Sequence, residues 1–222
     1  MKRNLPLVFI MVTLVIDAMG IGLILPVMPD LLQEVDGGDL GDAAIWGGIL
    51  ATMFAAIQFM VGPMLGNLSD RFGRRPVLLI STGVMALDYL VMALAGSIWV
   101  LLIARIVGGI TSATQSTATA FIADISEPHE KAARFGLVGA AFGVGFVLGP
   151  IIGGLLAEFG TRAPFYAAAA LATLNLILGY FVLPETVTDA IRRPFQRRRA
   201  NPFGAFLHVG KIAGTTRLLA LF

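Results

Sequence analysis

The sequence contains no cysteine, and its two histidines, His129 and His208, stand far apart in polar segments. Disulfides and thiolate metal sites are therefore excluded, the redox compartment is unreadable, and a metal site built on the histidines is not expected. Charge is scarce as well: 14% of the 222 residues are charged and 57% are hydrophobic, with a mean hydropathy of +0.84. A soluble domain carries about 25% charged and about 45–50% apolar residues, so the composition is that of an integral membrane protein. The alternating pattern of a membrane β-barrel is missing. In its place are solidly apolar runs, each close to the roughly 20 residues that cross a bilayer as a helix. A net charge of +2 does not point to nucleic acid, because the bases are confined to the connections between runs. The sequence offers no nucleophile–base set, phosphate loop or metal cluster, which argues against an enzyme.

The runs predict six spans, at about 6–29, 44–65, 76–96, 98–121, 134–157 and 163–184. The first follows Met1-Lys2-Arg3, but its apolar part exceeds the 7–15 residues of a signal peptide and no small-residue cleavage site closes it. It reads as a retained first helix. Alternate connections place Lys2, Arg3, Arg71, Arg74, Arg75, Lys131, Arg134, Arg192, Arg193, Arg197, Arg198, Arg199 and Lys211 on one side. The other side holds Arg162 alone, and its first loop carries Asp30, Glu34, Asp36, Asp39 and Asp42. This asymmetry predicts both termini in the cytoplasm. Residues 1–187 form the six-span unit, 188–217 a basic cytoplasmic linker, and LLALF at 218–222 reads as the opening of a seventh span.

Three ionisable residues fall inside the spans: Asp17, Asp88 and Arg105. Each costs roughly 2.5–3.5 kcal/mol there on the insertion scale. At 1.5 Å per residue, Asp17 and Asp88 both lie about 16–18 Å from one end of their spans, near the midplane. Two readings stay open: buried carboxylates satisfied by neighbouring helices, or acids in a water-lined cavity that handle a proton or a cationic group. Arg105 heads a polar face in which Gly109, Ser112, Ser116 and Thr119 recur at helical spacing, broadened by Thr111, Thr114, Gln115 and Thr117. A guanidinium can neither face lipid nor lose its charge. In the fifth span Gly139/Gly143 and Gly145/Gly149/Gly153, with Pro150, allow close approach of another helix, as a packing face or a sliding one.

Between the second and third spans stands GNLSDRFGRRP (66–76), whose charges require a water interface. The pattern Gly66-x-Leu68-x-Asp70-Arg71-x-Gly73-Arg74-Arg75 resembles the signature loop of the major facilitator superfamily. Arg105-x-x-Gly108-Gly109 is similar to its fourth-span pattern, and Gly145-x-x-x-Gly149-Pro150-x-x-Gly153-Gly154 to the fifth-span pattern of its antiporter branch. DAMGIGLILP (17–26), SDRFGRRPVLL (69–79) and LDYL (87–90) look like the bacterial tetracycline/proton antiporters.

The resemblance implies an all-α membrane fold: six transmembrane helices in two inverted three-helix repeats, forming one half of a twelve-helix bundle that rocks around a midplane site. It implies proton-coupled drug efflux in the bacterial inner membrane, without a cofactor. The partners would be lipids, protons, a small-molecule drug alone or as a divalent-cation chelate, and a C-terminal six-helix half or another membrane protein. Asp17, Gln58, Asp88 and Arg105 match central-cavity positions, with Ser112 and Gln115 joining them from the fourth span's polar face. Asp70, Arg71, Gly73, Arg74 and Asp124 match the gate: Asp70 would cap a helix of the other half, and Arg74 and Asp124 would form a switching charge pair. The alternatives are a carrier for another drug or metabolite and a half-length accessory subunit.

Overall fold

The computed structural model describes residues 5–111, 114–189, 192–195 and 200–202. Among them the helices are α1 (Leu5–Ile24), α2 (Met28–Asp36), α3 (Leu40–Phe72), α4 (Arg74–Leu94), α5 (Ile98–Thr111), α6 (Thr114–Ile125), α7 (Lys131–Ala157) and α8 (Ala163–Val182). With Ile98–Ile125 taken as one span, six are long and apolar enough to cross a membrane. Ser112, most of the segment read as a linker and all of the segment read as a seventh span lie outside the described residues.

Two boundaries differ from the sequence reading. The first span ends at Ile24 rather than near residue 29, and the acidic first loop contains a helix of its own. Pro26 and Pro29 explain the break: neither offers an N–H to continue α1, while Pro29 is well placed in the first turn of α2. Gly37, left-handed at φ 69°, ends α2. Asp39 then caps α3, its carboxylate accepting from the Asp42 N–H at 2.9 Å.

The second difference is in the charged motif. Residues 66–76 are not a loop: α3 continues through Phe72, α4 starts at Arg74, and Gly73 alone separates them. Charge forbids hydrocarbon but not helix, so α3 carries its 33 residues past the apolar zone without losing its hydrogen bonds. Gly73 turns the chain with φ 111° and ψ 152°, a conformation that a side chain strongly disfavours.

Packing is closest between α1 and α7. Gly145 lies against the Val15 carbonyl, Gly153 against Leu23, and a Cβ on Gly149 would stand 2.6 Å from the Gly22 Cα. Gly139 and Gly143, by contrast, face open space. α7 runs through Pro150 as one helix. Buried side chains form two clusters. One includes Met19, Leu23, Leu31, Met92, Leu101 and Phe165, towards the α2 end of the bundle. The other includes Ile10, Leu14, Leu78, Phe121 and Leu183, towards the opposite end. On α1, Asp17 falls between the residues of the two clusters. Outward faces remain apolar, with Trp99, Leu155, Tyr180 and Phe181 exposed, as a hydrocarbon surround permits.

Candidate functional site

A cavity of about 440 Å³ opens between α1, α2, α3, α4, α5, α6 and α7. Phe54, Tyr89, Phe142, Ile21 and Met28 supply apolar and aromatic walls. Asp17, Gln58, Asp88, Arg105 and Gln115 bring polar groups into it. Five of the six residues expected at a central cavity are thus assembled in one chamber, although four different spans contribute them.

The two acids differ sharply in their surroundings. Asp88 pairs with Arg105, Oδ2 to a guanidinium nitrogen at 2.8 Å, with side chains 3% and 13% exposed. Arg105 also lies over the Phe54 ring at 5.2 Å. This pair gives the Arg105-x-x-Gly108-Gly109 pattern a physical basis. A Cβ at Gly108 would stand 2.9 Å from Asp88 Oδ2, and one at Gly109 would stand 2.9 Å from the Phe54 carbonyl. Both glycines let neighbouring helices close on the buried charge. Asp17 has no ion pair among the described residues; the Thr114 hydroxyl is within hydrogen-bonding reach of it. Asp17 Oδ1, Asp88 Oδ1 and Arg105 Nε are buried polar atoms without a hydrogen-bond partner among the described residues. They are acceptors and a donor left over for water or a guest.

A second polar cluster closes the end where α3 meets α4. Arg74, 8% exposed, is its centre. It contacts Asp70 at 2.5 Å and Asp124 at 3.2 Å, and it donates to Ser69 Oγ at 2.5 Å. Gly73 provides the turn that lets Asp70 and Arg74 face each other across the helix break. Arg71 does not join: its guanidinium lies over Phe72 at 5.1 Å.

Glu185 was not singled out from the sequence, yet it ties this cluster to the end of α8. It accepts from the Arg74 N–H at 2.9 Å and the Arg75 N–H at 3.3 Å, capping α4 where the helix dipole is positive. A Cβ on Gly73 would overlap its carboxylate. Thr186 adds a hydrogen bond to Asp124 at 3.1 Å. An acid directly after Pro184, where the last span ends beside so many bases, was the available signal. Arg134 was passed over as a surface base. It pairs with Glu130 at 2.9 Å and donates to the Ile125 carbonyl at 3.0 Å, closing the C-terminus of α6. Among the described residues no group of three His, Asp or Glu side chains is placed to hold a metal.

Residues 10–222 match the Major Facilitator Superfamily. The tetracycline resistance protein of class C from Escherichia coli is 45% identical over 222 residues, 100% of this chain and 55% of that protein. The class B protein from Escherichia coli is 43% identical, covering 79% of this chain and 43% of its own length. Multidrug resistance protein 1 of Bacillus subtilis (strain 168) is 36% identical over 83% of this chain and 46% of that protein. The chain therefore spans about half the length of these relatives. Among solved structures, the human organic anion transporter MFSD10 (TETRAN) superposes with a TM-score of 0.77 at 26% identity, over 94% of this chain and 56% of that one. With six membrane-length helices and a family match over nearly all its length, the chain is a multi-pass membrane protein that belongs to the Major Facilitator Superfamily.

Proposed function

We propose that this chain is the N-terminal, cavity-bearing half of a proton-coupled drug efflux carrier that works by alternating access. Its substrate is a tetracycline-like compound, alone or as a divalent-cation chelate. The observation that carries this reading is the chamber itself: aromatic and apolar walls around one carboxylate, Asp17, that lacks an ion-pair partner among the described residues. A lone carboxylate in such walls can be satisfied by a proton or by a cationic group on the guest, but not by both. Mutually exclusive occupancy is the minimum requirement for exchange. Asp88, neutralised by Arg105, shapes the chamber and holds α4 to α5. The tetracycline resistance proteins at 45% and 43% identity favour the substrate class.

The Asp70–Arg74–Asp124 cluster is the gate of this half, and Arg71 and Gly73 belong to its turn. The excess of bases in the connections at that end favours the cytoplasmic face of the bacterial inner membrane for it and for both termini. A C-terminal six-helix half completes the chamber. The test uses the complete carrier in vesicles with an imposed pH gradient. Asp17→Asn is expected to abolish uphill drug accumulation while normal amounts of protein are inserted. Accumulation at the parental rate by that variant would overturn the reading. The 36% identity to multidrug resistance protein 1 favours a broader substrate range as the second reading. Resistance to structurally unrelated cationic drugs in the same cells, at levels matching tetracycline, would decide for it.

A further inference from the structure

At the end of the bundle opposite Arg74, the cavity is walled by α2. This helix has nine residues, too few to span a bilayer, and supplies Met28, Pro29 and Leu32 to the lining. Leu31 and Leu32 are buried, and Leu32 sits above the bare backbone of Gly47 on α3. Both ends of α2 are turns: residues 25–27, with Pro26, on one side, and Gly37-Gly38 on the other, where Gly37 has open space around it. Among the described residues, one α2 side chain makes a polar contact with another element, and it is Glu34.

Glu34 accepts from the Thr161 hydroxyl at 2.7 Å and from Arg162 Nε at 3.0 Å. Arg162 also donates to the Ala93 carbonyl at 2.8 Å, in the last turn of α4. Arg162 is thus a three-way tie between α2, α4 and the start of α8. It is also the base that stands by itself among the acids of this end of the molecule. Of the six acids there (Asp30, Glu34, Asp36, Asp39, Asp42 and Glu158), Glu34 is the one that meets it among the described residues. The Thr161 hydroxyl and Arg162 hold the Glu34 carboxyl below its ordinary range, in keeping with a carboxylate that stays charged in its clasp.

We propose that α2 is a lid on the cavity, hinged at residues 25–27 and at Gly37-Gly38, and latched by Glu34 on Arg162 and Thr161. Releasing the latch swings Leu32 out of the wall and opens the chamber at this end. Closing it joins the lid to α4, the helix that also carries Asp88. The latch is partly exposed, its side chains 45% and 29% accessible, so it is suited to frequent opening. This inference concerns the wall of the chamber and holds whichever guest the chamber takes.

This half contributes no native cysteine, so once any cysteine outside residues 1–222 is replaced by serine, a direct test is possible in membranes containing the complete carrier. Leu32→Cys reports the lid, and Asp30→Cys, exposed on the same helix, reports general accessibility. Labelling by a membrane-impermeant maleimide is followed from either side. Glu34→Gln and Arg162→Gln are each expected to speed labelling at position 32 by about two- to fivefold, the span of an exposed ion pair. The two together should do no more than either alone, as residues acting through one contact. At about 1 M salt, where screening shortens to about 3 Å, the parent should label faster while the Glu34→Gln background does not change. An unchanged rate at position 32 in Glu34→Gln, full additivity in the pair, or equal acceleration at position 30 would each overturn the latch.

Discussion

Replacing Arg105 with Gln should destabilise the fold far more than replacing Asp17 with Asn, although both lie in the same chamber. The reason is what each substitution leaves behind. Asp88 is 3% exposed at its side chain and already has one oxygen without a partner; its other oxygen is held by Arg105 at 2.8 Å. Without the guanidinium, a carboxylate stays buried with nothing to compensate it, which costs about 3–5 kcal/mol. At about 1.4 kcal/mol per decade, the folded-to-unfolded ratio falls by more than a hundredfold. Changing both partners, Asp88→Asn with Arg105→Gln, leaves two neutral amides and should recover most of that loss. Asp17→Asn strands no charge, because Asp17 has no ion pair to break, and its effect should stay within about 1 kcal/mol, the scale of a neutral hydrogen bond. Reversible unfolding in mixed micelles can be followed through Trp46 and Trp99, which meet edge to face at 6.0 Å. Arg105→Gln unfolding within 1 kcal/mol of the parent, or a double variant no more stable than Arg105→Gln, would refute the compensation argument.

Gly73→Ala should lower stability by about 1–3 kcal/mol, since φ 111° strains any side chain and the new methyl meets the Glu185 carboxylate. Glu185→Gln combined with it should not restore the parent's melting temperature, because the backbone strain remains. Gly149→Ala should cost about 1–3 kcal/mol through overpacking against Gly22, whereas Gly143→Ala, facing open space, should be neutral or stabilising in the same melting assay. Arg74→Gln and Asp124→Asn should be coupled by about 0.5–3 kcal/mol in a double-mutant cycle for transport by the complete carrier. Additivity there would reduce their 3.2 Å contact to an incidental surface pairing.

The six spans were legible because crossing a bilayer demands long apolar runs, a requirement written plainly into composition. What charge revealed was depth, not secondary structure. The motif at 66–76 had to lie at water, and it was read as a connection, but a helix can emerge from hydrocarbon without ending. The helix α2 was hidden for a related reason. Leu31, Leu32 and Val35 carry a short amphipathic pattern, yet two prolines and several acids around it give the composition of a loop. Asp17 and Asp88 were matched by depth along their spans, and both line the one cavity. Depth could not say that Arg105 would choose Asp88: that depends on Gly108 leaving room for the carboxylate and on how α4 packs beside α5. Glu185 was overlooked because its partner is backbone, and backbone N–H groups leave no trace in a residue pattern.

One helix connects these features. α4 begins at Arg74, in the charged cluster with Asp70, Asp124 and Glu185. Midway it carries Asp88, bound to Arg105, and in its last turn the Ala93 carbonyl receives Arg162 from the latch. At 1.5 Å per residue its 21 residues reach about 30 Å, the thickness of the hydrocarbon core. Between Val77 and Met92 the helix holds no Pro and a single Gly, Gly83, so it has few places to bend and its two ends are coupled. A shift of Arg74 away from Asp124 therefore displaces the Ala93 carbonyl against Arg162. The Glu34–Arg162 contact is partly exposed and Arg74, itself buried, can trade one acid for another, whereas Asp88 is buried with Arg105 as its one ion-pair partner among the described residues. α4 is accordingly pinned at its middle and free to tilt at its ends, and the central ion pair works as a pivot instead of a switch.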